Sequence, residues 1–185
     1  MALSIPIQRA GRILRAGGVV AYPTEGVFGL GCIPDYADAV IRILAIKKRS
    51  PALGLVLIAS CIEQLDGWAK LPPTASLDSS LEHPVTWIVP ADVNVPYWIT
   101  GEHVGLAVRI SHHPVASALC DAADSLLVST SANIAGTPPA RTAYVLRRRF
   151  RSLVDCIVPG RCGPAAGASE IRDLKSGKVM RTGKI

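Results

Sequence analysis

Three hydroxyl side chains and an amide follow an apolar run in the second half of the chain. Residues 126–128 are Leu-Leu-Val, and Ser129, Thr130, Ser131 and Asn133 come after them. Such a run predicts a buried strand that delivers polar side chains at its end. Hydroxyl and amide groups hold phosphate or carboxylate oxygens by hydrogen bonds, but they carry no charge. A binding site on this segment therefore needs a cation from elsewhere in the chain.

The best candidate for that cation is the run Lys47-Lys48-Arg49. It ends a predicted helix, where cations also stabilise the helix dipole without any ligand. Ser50-Pro51 disfavours helical geometry beyond that point, so Lys47 and Arg49 can turn toward one anion. Whether this run meets the segment at 129–133 decides what kind of site the protein has.

A glycine-rich segment at 22–32 contains two polar residues, Thr24 and Glu25, at the predicted end of a strand. Sheets in α/β proteins tend to bind ligands at that position, and glycine lets a ligand approach the backbone. A tight turn with the Thr24 hydroxyl as a cap is the alternative interpretation.

Several familiar catalytic patterns are missing from the sequence. It has neither the phosphate loop G-x-x-x-x-G-K-[ST] nor a Rossmann fingerprint, and without G-x-S-x-G a hydrolase is disfavoured. The cysteines form no C-x-x-C pair and the histidines lack metal-ligand spacing. We therefore expect no metal held by protein side chains alone. Mg²⁺ that arrives on a nucleotide is compatible, because it binds mainly through phosphates.

The composition predicts one globular domain over residues 1–185. Of the 185 residues, 49% are hydrophobic and 18% charged, which is enough apolar material for a core. The longest mostly apolar stretch, 54–62, is about half of a membrane span, and the N-terminus lacks the pattern of a secretory signal. We therefore expect a cytoplasmic protein without membrane contact. The net charge of +6 favours anionic partners such as nucleotides and RNA.

Strand and helix patterns alternate irregularly along the chain. Helices are predicted at 6–16, 37–45, 62–69, 113–122 and 143–150, and strands at 19–22, 54–59, 85–89, 104–110, 126–129, 156–158, 170–174 and 178–181. A purely parallel sheet would need a helix in every crossover. The pattern therefore predicts a single twisted α/β domain whose mixed parallel and antiparallel sheet is flanked by helices.

The densest basic cluster is Arg147, Arg148, Arg149 and Arg151, on the last predicted helix. A solvated helix face is the usual meaning of such a run. RNA contact is the other interpretation, because neighbouring arginines can neutralise several phosphates.

Five segments taken together resemble the YrdC/TsaC family, and their order and spacing cover residues 7–183. They are Ala-Tyr-Pro-Thr-Glu at 21–25, Lys-x-Arg at 47–49, Leu-Ala-Val-Arg at 106–109 with His-Pro at 113–114, Ser-Thr-Ser-Ala-Asn at 129–133 and Ser-Glu-Ile-Arg-Asp at 169–173. The resemblance implies a fold related to dihydroxybutanone phosphate synthase, with a positively charged cavity. It also implies an enzyme that makes L-threonylcarbamoyladenylate and pyrophosphate from ATP, L-threonine and bicarbonate.

The resemblance further implies a site of eight residues. The set assigned to ATP, of which the first two are also catalytic, is Lys47, Arg49, Ser131, Asn133, Ser169 and Arg181. The set assigned to threonine is Thr24 and Arg109. Mg²⁺ would arrive with ATP, and the product would pass to the proteins that transfer threonylcarbamoyl to the tRNA adenosine beside the anticodon.

Two positions depart from the family pattern. Leu53 stands where many relatives carry a second lysine, and Ile33 stands where they carry an acidic residue. The first departure removes an expected phosphate contact, for which Lys48 is a candidate replacement. An RNA-binding module without synthase activity is the alternative function.

Overall fold

The structure is a computed structural model in which residues 4–183 are described. Its helices are α1 Ile5–Arg15, α2 Ala37–Lys47, α3 Tyr97–Thr100, α4 Pro114–Ala123 and α5 Ala143–Phe150. Its strands are β1 Val20–Pro23, β2 Phe28–Cys32, β3 Val56–Ala59, β4 Val85–Pro90, β5 Gly105–Ile110, β6 Leu127–Ser131, β7 Cys156–Ile157, β8 Glu170–Asp173 and β9 Val179–Arg181. The single domain predicted for residues 1–185 includes 1–3 and 184–185, which lie outside the described residues.

The strands form one sheet in the order β7-β1-β2-β6-β3-β5-β4-β8-β9. The pairs β1/β7, β3/β5 and β4/β8 are parallel, and the remaining neighbours are antiparallel. This mixture confirms the predicted fold class. It also has a local consequence, because the β2/β6 pairing places Gly29 opposite Ser131. The glycine-rich segment and the hydroxyl cluster are therefore neighbours across the sheet.

Helices cover both faces of the sheet. Because side chains alternate along β1, Val20 and Tyr22 pack with α1 and α4, whereas Ala21 belongs to the core on the other face. That second core contains Ile43 of α2 and Phe150 of α5. On the face covered by α1 and α4, the two helices pack closely at Gly11 of α1. A Cβ there would lie 2.6 Å from the Ala122 carbonyl oxygen of α4.

One local prediction was wrong, and two elements were not predicted. The helix predicted at 62–69 is a 3₁₀ turn at Ile62–Leu65, because Gly67 takes a φ of +79° and Ala69 then bridges to Ala91. Strand β2 lies in the glycine-rich segment and was not predicted as a strand, since glycine weakens a strand pattern. The short α3 lies between Pro96 and Gly101 and shows no periodic pattern of its own.

No helix in the described part of the chain has the length and apolar character that a membrane crossing requires.

Candidate active site

The C-terminal end of α2 meets the end of β6. Lys47 Nζ donates to the Ser131 carbonyl oxygen, and it also donates to the carbonyl and side-chain oxygens of Asn133 at 3.1 and 2.9 Å. The Ser131 hydroxyl donates to the same side-chain oxygen of Asn133 at 2.6 Å. The Ala135 amide donates to the Lys47 carbonyl at 2.9 Å. The lysine run and the hydroxyl cluster therefore belong to one place in the fold.

Lys47 is buried, with only 4% of its surface exposed. Helix α2 ends directly after it because Lys48 takes a left-handed conformation with φ +52°. Burial, together with the nearby Arg49 charge, lowers the pKa of Lys47 to about 8. An opposite charge favours the charged form of such a group. An anion bound nearby would therefore raise this pKa.

A cavity lies beside this contact, at the ends of β1, β5 and β6. It brings together six of the eight predicted site residues: Thr24, Arg49, Arg109, Ser131, Ser169 and Arg181. Lys47 and Asn133 are not among the lining residues, but both contact Ser131, which is. Lys47 and Asn133 therefore lie behind the lining residues and hold Ser131 in position.

Arg49 projects from the chain just after α2. Its Nη2 donates to the carbonyl oxygens of Leu53 and Gly54 at 3.1 and 3.0 Å. Its Nε is buried without a hydrogen-bond partner. Burial also lowers the pKa of this guanidinium. Because an unpaired buried donor is costly, an acceptor from a ligand would stabilise this arrangement.

Arg109 of β5 forms a buried ion pair with Glu25. Arg109 Nη2 lies 3.3 Å from Glu25 Oε2, and Ser111 Oγ donates to Glu25 Oε1 at 2.6 Å. Burial acts to raise the pKa of Glu25, but the Arg109 charge and the Ser111 hydrogen bond outweigh it and lower that pKa. The carboxylate is therefore ionised at neutral pH.

The far wall of the cavity is built from the strands at the sheet edge. Arg181 Nη2 of β9 donates to the Ser169 carbonyl oxygen at 2.8 Å. The Ser169 hydroxyl is paired with the Thr86 hydroxyl at 2.7 Å. Burial lowers the pKa of Arg181, and the nearby charge of Arg109 lowers it further. Both arginines line the cavity.

A loop at 163–168 crosses the turn after β1 and closes this wall. The amides of Gly163 and Ala165 donate to the carbonyl oxygens of Thr24 and Glu25 at 2.9 and 3.0 Å. A Cβ at Gly26 would lie 2.6 Å from the Gly167 carbonyl oxygen, so only glycine fits under the loop. The Thr24 hydroxyl donates to the Val27 carbonyl at 2.7 Å, which is the turn-capping bond of the alternative interpretation.

Some residues of the site were not in the predicted set. Glu25 is paired with Arg109, Ser111 donates to Glu25, and Ser129 lines the cavity. A lone acidic residue between the apolar residues of β1 and β2 was the available signal for Glu25. Arg141 ties down the loop by donating to the carbonyl oxygens of Ala165 and Ala166, and nothing in the local sequence indicates this contact.

Two other candidates lie outside the cavity. Lys48, the suggested substitute for the lysine that Leu53 replaces, is exposed and does not line it. His113 caps α4 by accepting from the Val115 amide at 3.3 Å. Among residues 4–183 no cluster of three or more His, Cys, Asp or Glu side chains has metal-binding geometry.

The basic helix α5 lies away from the cavity. Arg147, Arg148, Arg149 and Arg151 are all exposed. Arg147 and Arg151 line a separate groove together with Arg9 of α1, the Asp155 carboxylate and the edge strand β7. This groove is therefore a surface site separate from the cavity.

The cavity supplies fixed charge more than reactive groups. Three arginines and one carboxylate are among its lining residues, and the described lining includes no histidine or cysteine. A serine nucleophile would need an adjacent base. Fixed cations and hydroxyl donors instead suit a reaction in which charge develops on phosphate or carboxylate oxygens.

Comparison with known proteins shows the family of this chain. The Sua5/YciO/YrdC family model, described as telomere recombination, matches residues 12–183. The chain belongs to this family. It is 51% identical over 179 residues to a curated protein named threonylcarbamoyl-AMP synthase from Nitrosococcus oceani, covering 95% of this chain and 96% of that relative. A relative of the same name from Xanthomonas euvesicatoria is 45% identical over 183 residues, covering 96% of this chain and 98% of the relative.

Solved structures of the family have the same fold. A variant of P. abyssi Sua5 superimposes with a TM-score of 0.87 at 31% identity, covering 96% of this chain and 53% of the Sua5 chain. P. abyssi Sua5 complexed with L-threonine superimposes with a TM-score of 0.83 at 29% identity, covering 96% of this chain and 54% of that chain. The present chain therefore spans about half the length of these Sua5 chains.

Proposed function

We propose that the protein is a threonylcarbamoyl-AMP synthase, which forms L-threonylcarbamoyladenylate and pyrophosphate from L-threonine, bicarbonate and ATP. The observation that carries this proposal is the convergence of Arg49, Arg109 and Arg181 with Ser131 on one cavity. The full-length relatives of this name and the threonine complex of Sua5 support it. They favour it over the alternative of an RNA-binding module without synthase activity.

The chemistry we propose proceeds in two steps. The neutral threonine amine first attacks the carbon of bicarbonate, which gives the N-carboxylate with loss of water. An oxygen of that carboxylate then attacks the α-phosphorus of ATP, and pyrophosphate leaves with the electron pair of the broken P–O bond. Charge accumulates on phosphate oxygens in the second step, so fixed cations lower its barrier.

Each predicted residue has a place in this scheme. Arg49 neutralises phosphate charge directly, whereas Lys47 acts through its contacts with Ser131 and Asn133. The Ser131 hydroxyl lines the cavity and orients phosphate oxygens. Its role is that of a hydrogen-bonding group and not of a nucleophile.

The opposite wall completes the scheme. Arg181 and Ser169 hold the rest of the nucleotide, and Arg109 with Thr24 holds threonine. Mg²⁺ is expected to arrive bound to the ATP phosphates. Glu25, the only carboxylate among the described lining residues, is already paired with Arg109 and is not expected to ligate it.

The product would be used outside this protein. An acyl adenylate is a high-energy intermediate, so we propose delivery to tRNA threonylcarbamoyl-transfer proteins for modification of the adenosine beside the anticodon. Such a role places the protein in the cytoplasm. No contact with a membrane is proposed.

The decisive experiment incubates the purified protein with ATP, Mg²⁺, bicarbonate and one amino acid at a time, and measures pyrophosphate. Release is expected with L-threonine and to depend on bicarbonate. The Arg148→Ala variant, which alters an exposed arginine far from the cavity, is the matched control and should behave like the parent. A folded protein that releases no pyrophosphate with threonine would refute the proposed function.

We also propose that the groove between α1 and α5 contacts RNA. Arg9, Arg147 and Arg151 line it, and adjacent arginines of this kind neutralise phosphates of one backbone. Replacing Arg147 and Arg151 by glutamine should weaken binding of labelled tRNA and reduce the slope of log affinity against log salt by about two. Unchanged affinity and slope would leave α5 as a solvated helix face.

A further inference from the structure

The ion pair between Arg109 and Glu25 is unlike the surroundings of the other two cavity arginines. Arg49 and Arg181 donate only to backbone carbonyl oxygens in the described structure. Arg109 instead faces a carboxylate, and both partners are almost fully buried, at 9% and 1% exposure. A buried counter-ion is costly to desolvate. Its presence at only one of three arginines therefore calls for a specific role.

Glu25 is held firmly in its position. The Ser111 hydroxyl fixes one carboxylate oxygen at 2.6 Å, and the backbone carbonyl of Glu25 accepts the Ala165 amide at 3.0 Å. Ser111 follows β5, the strand that carries Arg109. Both members of the ion pair are thus anchored to the same rigid part of the sheet.

The ion pair leaves some hydrogen-bonding groups of Arg109 and Glu25 without partners. Glu25 Oε2 lies 3.3 Å from Arg109 Nη2 without meeting hydrogen-bond geometry, and Arg109 Nε has no hydrogen-bond partner. Arg109 lines the cavity, so its guanidinium can face a ligand, whereas its Nε is itself buried. The carboxylate therefore offsets the charge of Arg109 without occupying all of its donors.

We propose that Glu25 is a built-in counter-ion that prevents Arg109 from capturing free inorganic anions. With Glu25 in place, a small anion such as sulfate or phosphate gains little from the guanidinium, because the opposing charge lies 3.3 Å away. A substrate that also contacts Arg49, Arg181 and the hydroxyl groups has enough further interactions to bind. Glu25 thereby makes the cavity selective for a ligand with several polar groups.

This inference rests on the proposed function only in taking the cavity as the substrate site. It makes Glu25 a positioning and selectivity residue, because its side chain contacts Arg109 and not the reacting atoms.

The test is calorimetric titration of sulfate into the parent protein and the Glu25→Gln variant at fixed ionic strength. Glutamine keeps the shape of the side chain and removes its charge. We expect sulfate to bind the variant at least about 10-fold more tightly, since an uncompensated buried arginine remains. The double variant Glu25→Gln/Arg109→Gln should return to weak binding, which locates the site at Arg109.

The matched control is Asp155→Asn, which removes the carboxylate of the Arg42 ion pair. That pair is exposed, with side-chain exposures of 41% and 39%, and lies outside the cavity. It should leave sulfate affinity unchanged. An equal gain in this control would show a general charge effect and overturn the proposal, as would unchanged sulfate affinity in folded Glu25→Gln.

Ser111→Ala covers the case in which Glu25→Gln does not fold. It removes the hydrogen bond of 2.6 Å that holds the Glu25 carboxylate beside Arg109. The carboxylate is then free to move away from the guanidinium, so sulfate should bind several-fold more tightly than in the parent, and less tightly than in Glu25→Gln. No gain in that variant would overturn the proposal. Because sulfate binding needs no turnover, a protein without synthase activity can still show the effect. An active synthase without it would contradict this inference alone.

Discussion

Two groups of arginines in this protein lie in different physical environments. Arg49, Arg109 and Arg181 come from the segment after α2, from β5 and from β9, and they lie around one cavity. The second set lies at the end of α5, is nearly contiguous in sequence and is exposed: Arg147, Arg148, Arg149 and Arg151. Contiguous charge is visible in the sequence but remains screened by solvent. Charge gathered by the fold lies in a partly dry site, where it acts more strongly on a ligand.

The strongest test of this contrast is Arg49→Ala against Arg148→Ala. Loss of Arg49 should lower pyrophosphate release at least about 100-fold, because a preorganised charge on the phosphates is removed. Its present bonds are to the backbone carbonyls of Leu53 and Gly54, within five residues along the chain. The melting temperature should therefore change by only a few degrees.

Steady-state pyrophosphate release and thermal denaturation measure these effects. Arg148→Ala should match the parent in both. Equal losses of activity in Arg49→Ala and Arg148→Ala would show that a cavity arginine contributes no more to the reaction than an exposed arginine of α5.

The second prediction compares two arginines on neighbouring strands. Arg181→Ala should raise the KM for ATP about 10-fold or more, because a charge-assisted hydrogen bond to the ligand is lost. Arg172→Ala removes an arginine that is paired with Glu170 and lies over the Trp87 ring. It should leave the KM within about two-fold of the parent, as expected for a partly exposed ion pair.

The measurement is the ATP dependence of the initial rate for both variants. Arg181 also holds the Ser169 carbonyl, so Arg181→Lys is a useful third variant. A loss in Arg172→Ala as large as that in Arg181→Ala would place the nucleotide elsewhere.

The third prediction uses the buried lysine. Because the pKa of Lys47 is about 8 in the empty protein, part of the population is neutral at pH 8.5, and ATP should draw a proton onto it. Calorimetry in buffers of different ionisation enthalpy should show uptake of a fraction of a proton at pH 8.5 and almost none at pH 6.5. Lys47→Met should abolish the uptake.

Stability should follow the same titration. The pKa of Lys47 is below its ordinary value of 10.5, so between about 8 and 10.5 the unfolded chain binds more protons. The free energy of unfolding of the parent should therefore rise with pH across this window relative to Lys47→Met. Below pH 8 both states carry the proton and the difference should be flat. A difference that falls with rising pH would contradict the assigned direction.

The smallest expected effect concerns Leu53. Its side chain is 56% exposed, at the turn whose carbonyl oxygens Arg49 binds. Leu53→Lys adds an exposed charge near the phosphates and should tighten ATP binding about two- to five-fold, as solvated charge pairs contribute little. Leu53→Gln is the neutral control. Equal affinity in the lysine and glutamine variants would show that this position does not reach the nucleotide.

The sequence by itself was sufficient for the α/β class, most of the strands and the residue types of the site. Periodicity located α1, α2, α4 and α5 because each buries one face. It failed at 62–69, where Gly67 redirects the chain, and at β2, whose glycines hide a strand. These are positions where backbone conformation or close packing overrides the side-chain pattern.

Only the tertiary structure decided which polar residues act together. The antiparallel pairing of β2 with β6 and the left-handed end of α2 bring Lys47 to Ser131 and Asn133. Partner choice of this kind depends on long-range register, which local patterns do not encode. The hydroxyls and the amide at 129–133 show in the sequence that a cation is needed. The fold determines that Lys47 lies behind the wall, that three arginines line the cavity, and that one of them is paired with a carboxylate.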